Sequence, residues 1–133
     1  MSAGRIVVGW TPDEFGAVAL VHALAEARLR GLGVVTVNVS RGDALVDEHY
    51  AHPEALDRLE AELSASGLEH EVRQAVAPDV AAEILRVAEE VGAALVVLGL
   101  KRRTPVGKLL MGSVAQRVIL DARCPVLAVK PHE

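Results

Sequence analysis

Two hydrophobic patterns alternate along the chain. Short runs of consecutive β-branched residues predict strands buried on both faces, and apolar residues recurring every three or four positions predict helices packed on them. Ile6-Val7-Val8-Gly9-Trp10 is the first such run. Thr11-Pro12-Asp13-Glu14 then reads as a helix start, with Thr11 as N-cap, Pro12 at the first helical position and Glu14 three residues after the cap. Val18, Val21, Leu24, Ala25 and Leu29 follow at helical spacing until Gly31 stops the helix. Val34 to Val39 predicts the second strand. Ser40 to His52 is polar, with a Gly42-Asp43 turn signal, and Pro53 opens a helix whose narrow stripe is Leu56, Leu59 and Leu63. Gly67 ends it. Leu68, His70, Val72, Gln74 and Val76 alternate with Glu69, Glu71, Arg73 and Ala75, the pattern of an edge strand.

Pro78 opens a third helix, with Val80, Ile84, Val87, Ala88 and Val91 facing inward and Gly92 as its stop. Ala94 to Leu98 is the most hydrophobic strand, which predicts a central place in the sheet. Ser113-Val114-Ala115-Gln116 has capping-box spacing and starts a fourth helix reaching about Asp121; Pro125 to Val129 is the last strand. The order β-α-β-α-β-α-β-α-β predicts an α/β fold of three layers, a mainly parallel sheet doubly wound with helices on both faces. In such sheets ligands bind outside the carboxyl ends of the strands, where strand order reverses. Gly9 to Asp13 and Gly99 to Ser113 lie at that end.

The 133 residues suit one domain, 1–133. With 14 basic and 18 acidic residues the formal charge is −4, and aromatics are only Trp10, Phe15 and Tyr50. A general nucleic-acid binder is normally basic, and a single-strand binder needs aromatic stacking platforms, so no nucleic-acid partner is expected. The one cysteine, Cys124, excludes an intramolecular disulfide and suits an intracellular chain. No stretch approaches the ~20 apolar residues of a membrane span, and no signal-peptide pattern opens the chain. These features predict a cytoplasmic protein without a membrane partner.

The charge is unevenly placed. Lys101, Arg102, Arg103 and Lys108 cluster ahead of Gly112-Ser113, where a helix begins. Backbone amides at a helix start beside a glycine form an anion site, so the segment reads either as a phosphate pocket or as a solvated loop with Ser113 as N-cap. Gly107-Lys108 is not a P-loop, because Leu109 stands where Ser or Thr is required and Arg102 where the first Gly is required. His49-x-x-His52 lacks a third ligand and reads as two solvated histidines. Cys124, with no histidine near it in sequence, reads as a buried structural thiol. Trp10 reads as core or interface with adenine contact as the alternative, and Glu60-Glu62 and Glu89-Glu90 read as solvated helix charges.

After the fourth strand, Gly99, Gly112 and Ser113 resemble the universal stress protein signature Gly-x2-Gly-x9-Gly-Ser/Thr, which wraps ATP phosphates in nucleotide-binding members. Val114 to Ile119 followed by Cys124-Pro125-Val126-Leu127-Ala128-Val129 is similar to the family's closing helix and strand, and Ile6 to Gly9 to its opening strand. The resemblance implies a five-stranded parallel sheet of order 3-2-1-4-5, of the adenine-nucleotide α-hydrolase-like kind, and a homodimer through the fifth strand, Val126 to Lys130. It also implies ATP or another adenine nucleotide, and no metal, at Trp10, Thr11, Val39, Leu98, Gly99, Arg102, Gly112, Ser113 and Val114. Two positions depart from the family pattern. Arg102 replaces the second signature glycine, and Thr11 stands where binding members carry an Asp. Either Arg102 contacts phosphate through its side chain, or the chain is a nucleotide-independent dimeric interaction module with an unknown protein partner. No nucleophile–base pair, metal cluster or carboxylate dyad supports catalysis, so the chain is not expected to be an enzyme, with slow ATP hydrolysis left open by the resemblance. The related adenylate-forming enzymes need further motifs for which 133 residues leave little space.

Overall fold

In a computed structural model, which describes residues 4–40, 51–100 and 112–131, strands and helices alternate as β1 (Ile6–Gly9), α1 (Glu14–Arg30), β2 (Val34–Ser40), α2 (Pro53–Ser66), β3 (His70–Val76), α3 (Val80–Val91), β4 (Leu95–Gly99), α4 (Ser113–Asp121) and β5 (Val126–Val129). The strands form one parallel sheet ordered β3-β2-β1-β4-β5, as expected. The position expected for the most hydrophobic strand needs correcting. β1 is central, and β4 is an inner strand between β1 and β5. Both are apolar on both faces because each is paired on both sides and covered by helices above and below.

Strand alternation divides the core in two. Ile6, Val8, Trp10, Val34 and Val97 face α1 and α2, where Leu20, Leu24, Leu59 and Leu63 meet them. Val7, Val35, Val37, Val39, Val96 and Leu98 face α3 and α4, with Ile84, Val87 and Val118. The inward face of α1 differs from the expected one. Ala19, Leu20, Ala23, Leu24 and Ala27 are buried, while Val21 and Leu29 are 58% and 82% exposed. Alanines spaced four apart let the helix backbone lie close on the sheet, and a reading that follows large side chains passes over them.

Three helix starts also differ from expectation, two lying later in the chain and one earlier. Asp13, not Thr11, caps α1, which begins at Glu14 and not at Pro12. Asp79, not Pro78, precedes α3, and Gly112, not Ser113, precedes α4. In the first two cases an aspartate carboxylate accepts the orphan amides of the first turn, a stronger cap than a hydroxyl or a proline supplies. The stops are where they were expected: Gly31, Gly67 and Gly92 end α1, α2 and α3 in the left-handed region (φ 67°, 74° and 62°).

Three of the four helix glutamates expected to be solvated are exposed and also ion-paired. Glu90 meets Arg73 and Arg86, Glu60 meets His70, and Glu89 meets Arg123.

Candidate functional site

The carboxyl ends of the strands form one rim of the molecule, and the structure describes most of the sequence-selected residues on or near it. At the exit of β1, the Trp10 amide donates to the Val37 carbonyl (2.9 Å), extending the β1–β2 ladder by one residue. The indole is 8% exposed and packs in the α1/α2-side core, so Trp10 is a core residue. Thr11, half-buried, donates its hydroxyl to Asp13 Oδ1 (2.6 Å). The same oxygen accepts the Phe15 and Gly16 amides, each at 3.0 Å. Thr11 therefore holds the cap in place and is not itself the cap.

At β2, Val39 is buried in the α3/α4-side core, and the adjacent Ser40 carbonyl accepts the Ala77 amide (2.7 Å). At β4, Leu98 is buried beside Gly9, its register partner. Gly99 has a packing duty: a Cβ there would lie 2.3 Å from the Phe15 carbonyl oxygen and 2.9 Å from Phe15 Cα. That absent methyl lets the start of α1 rest on the end of β4, which joins the β1 and β4 exits into one rigid corner.

Gly112 is the opposite case. Its φ of −67° and ψ of 159° are open to any residue, and a Cβ would meet no described atom within 4 Å. Gly112 and Ser113 are exposed; Val114 is half-buried against the α3/α4-side core. Arg102 and the basic cluster around it lie outside the described residues, as does His49.

All four helix N-termini lie at this end of the sheet, with different electrostatics. Asp79 caps α3 as Asp13 caps α1, while α2, preceded by His52, shows no side-chain cap bond among the described residues. At α1 the Asp13 carboxylate already satisfies the first amides. At α4 the cap is a glycine, which has no side chain to offer. Free amide dipoles attract an anion and a carboxylate in place repels one, so an anionic group at this rim is disfavoured at α1 and α3 and better received at α2 or α4.

A buried polar network supports the rim, and sequence reasoning missed it. Asn38, fully buried, donates from Nδ2 to the Trp10 carbonyl (3.0 Å) and accepts at Oδ1 from the Ala51 amide (2.9 Å) and from Gln74 Nε2 (3.0 Å). Gln74 also donates to the Ala51 carbonyl (2.9 Å). The available signal was the asparagine itself, a polar residue inside the apolar run Val37-Asn38-Val39.

Away from the rim, a cleft of about 220 Å³ opens between the C-terminal ends of α3 and α4, lined by Leu85, Ala88, Ala122 and Cys124 among others. Burial pushes the Cys124 thiol up from its ordinary value, which keeps it protonated and inert at neutral pH. Among the described residues there is no cluster of His, Cys, Asp and Glu able to hold a metal, and no helix long and apolar enough to cross a membrane.

A doubly wound parallel sheet whose order reverses beside β1, with a glycine-capped helix start at the same rim, defines the class: α/β proteins that bind ligands at a topological switch point. The particular family follows from comparison with known proteins. Residues 3–130 match the model of the universal stress protein family. The chain is 46% identical over 127 residues to a universal stress protein of Mycolicibacterium smegmatis, covering 96% of this chain and 98% of that one. A universal stress protein structure from Archaeoglobus fulgidus superposes with a TM-score of 0.80 at 31% identity, covering 98% of this chain and 100% of that one. Another from Archaeoglobus fulgidus, in complex with dAMP, has a TM-score of 0.68 at 27% identity with the same coverage. The chain belongs to the universal stress protein family.

Proposed function

We propose that this protein binds an adenine nucleotide, ATP or a relative of it, at the carboxyl ends of β1 and β4, and acts as a cytoplasmic stress-response or signalling protein. One observation carries the reading: Gly112 caps α4 in a conformation any residue can adopt and in space no described atom fills, so the missing side chain leaves room for a ligand. The amides that follow are suited to a phosphate, and the β1 exit is placed to receive the nucleoside. That a universal stress protein from Archaeoglobus fulgidus is found in complex with dAMP supports the choice of an adenine nucleotide. The reading is of a binding and signalling protein and includes no catalytic step. It works as a homodimer through β5, an edge strand of four apolar residues without charge.

A second reading has an observation of its own. Thr11, at the position where binding members carry an Asp, spends its hydroxyl on Asp13. That favours an interaction module that has given up nucleotide and recognises a protein partner. Calorimetry with dAMP, AMP and ATP separates the two. Binding that is lost when Gly112 is replaced by Val supports the first reading. No heat at millimolar nucleotide overturns it in favour of the second.

A further inference from the structure

We propose that Asn38 is a positioning residue for the nucleoside wall of this site, acting through the Trp10 carbonyl, with Gln74 as its support from the sheet edge. The inference rests on the nucleotide reading above. Asn38 is fully buried, and its amide joins three separate pieces of chain: the β1 exit at Trp10, the entry to α2 at Ala51, and β3 at Gln74. Trp10 is held from three directions. Its amide is tied to Val37, its carbonyl to Asn38, and its indole is packed in the core beside Ala51. The Trp10–Thr11 peptide is therefore a fixed sill where β1 ends, and Asn38 Nδ2 is the side-chain donor that holds its carbonyl. A side chain that only filled space here would need no amide. A buried amide with its hydrogen bonds made specifies one arrangement of the three segments.

Asn38→Asp tests the role, because a protonated carboxyl can reproduce the amide's donor and acceptor, whereas a carboxylate turns an acceptor toward the Trp10 carbonyl. Burial raises the introduced carboxyl's pKa, which brings its titration to a range where the fold can be studied. Trp10 is the only tryptophan, so its emission reads the sill directly without ligand. The variant is expected to show a pH-dependent shift of Trp10 emission that the parent lacks. Its Kd for dAMP should rise about tenfold relative to the parent across the same pH interval and return toward the parent value below it. Gln74→Ala, on the half-buried edge strand, keeps the Asn38 bonds to Trp10 and Ala51 and is expected to raise Kd by about threefold. A Leu63→Ala control, destabilised in the core near the C-terminal end of α2, away from the strand ends, should bind dAMP with the parent Kd. If Asn38→Asp folds and its emission does not titrate, or if it and Gln74→Ala bind dAMP as the parent does, the positioning role is overturned while the nucleotide reading stands. A loss of affinity in Leu63→Ala that matches its loss of Tm also overturns it, since stability alone would then explain the effect. If the parent itself binds no dAMP, AMP or ATP, the nucleotide reading is lost, and the nucleoside wall with it.

Discussion

Gly99 and Gly112 belong to one sequence signature and do different work. At Gly99 an added methyl would meet the α1 backbone at 2.3 Å, so Gly99→Ala must move the helix or the strand. We expect it to cost about 1–3 kcal/mol of stability, the usual range for overpacking, read as a lowered midpoint in urea. At Gly112 the added methyl meets nothing described, so Gly112→Ala should stay within about 1 kcal/mol of the parent while weakening dAMP binding. Equal destabilisation of the two variants would contradict this division. Thr36 gives a third residue-scale expectation. It is fully buried and its hydroxyl finds no partner among the described residues. Removing a buried, unpartnered polar atom without changing shape relieves a desolvation cost, so Thr36→Val should raise stability by about 1 kcal/mol, seen as a higher Tm.

At the scale of elements, the link between α2 and β3 carries a pH dependence. His70 Nδ1 contacts the Leu68 carbonyl (2.9 Å) and Nε2 contacts Glu60 (3.2 Å). The carbonyl first, and then the glutamate, raise the imidazole above its ordinary value of about 6.5. A group whose pKa is raised on folding stabilises most below its unfolded pKa, and the stabilisation disappears as pH rises through the folded value. The Tm advantage of the parent over His70→Gln should therefore be largest below about pH 6 and shrink toward pH 8. A constant difference would mean that the pair adds nothing by its charge.

Element scale is also where sequence reading succeeded and failed most instructively. All five strands and four helices were legible, because β-branched runs and helix-ending glycines are local signals that tertiary contacts did not override. Helix starts were misread wherever an aspartate stood next to a more familiar cue: Asp13 beside Thr11-Pro12, and Asp79 beside Pro78. The competition is settled by which side chain reaches the second or third amide, and residue type alone does not say this. The rim was legible as a place, because topology dictates it. Its construction was not, because Asn38, Ala51 and Gln74 meet only when β2, the entry to α2 and β3 are brought side by side. Gly99 was read as a phosphate glycine, and its contact with Phe15 has no sequence trace at all.

At the scale of the whole molecule, the two open sheet edges are unlike. The β3 edge carries Glu71 and Arg73, bound into a chain of ion pairs with Arg5, Glu90 and Arg86. Charges arranged this way discourage another strand from pairing there, whatever their small effect on stability. The β5 edge is Val126-Leu127-Ala128-Val129, with no charge. The Pro125 and Val129 carbonyls accept from β4, so the backbone groups of Val126 and Ala128 point to the open side. If the proposed dimer forms through this edge, Ala128→Pro removes an outward donor and leaves the β4 ladder intact. Light scattering should then find the parent dimeric and Ala128→Pro monomeric, with similar far-UV circular dichroism. A monomeric parent at high concentration would exclude β5 pairing.

The unequal duties of the two signature glycines also say how such a protein would change over generations. A descendant released from its ligand would gain nothing by keeping position 112 bare, and side chains would accumulate there without harm to the fold. Position 99 would stay glycine even so, because the start of α1 rests on it. Among related chains, the residue at 112 is therefore the one to inspect for lost binding, and glycine at 99 is uninformative on that question.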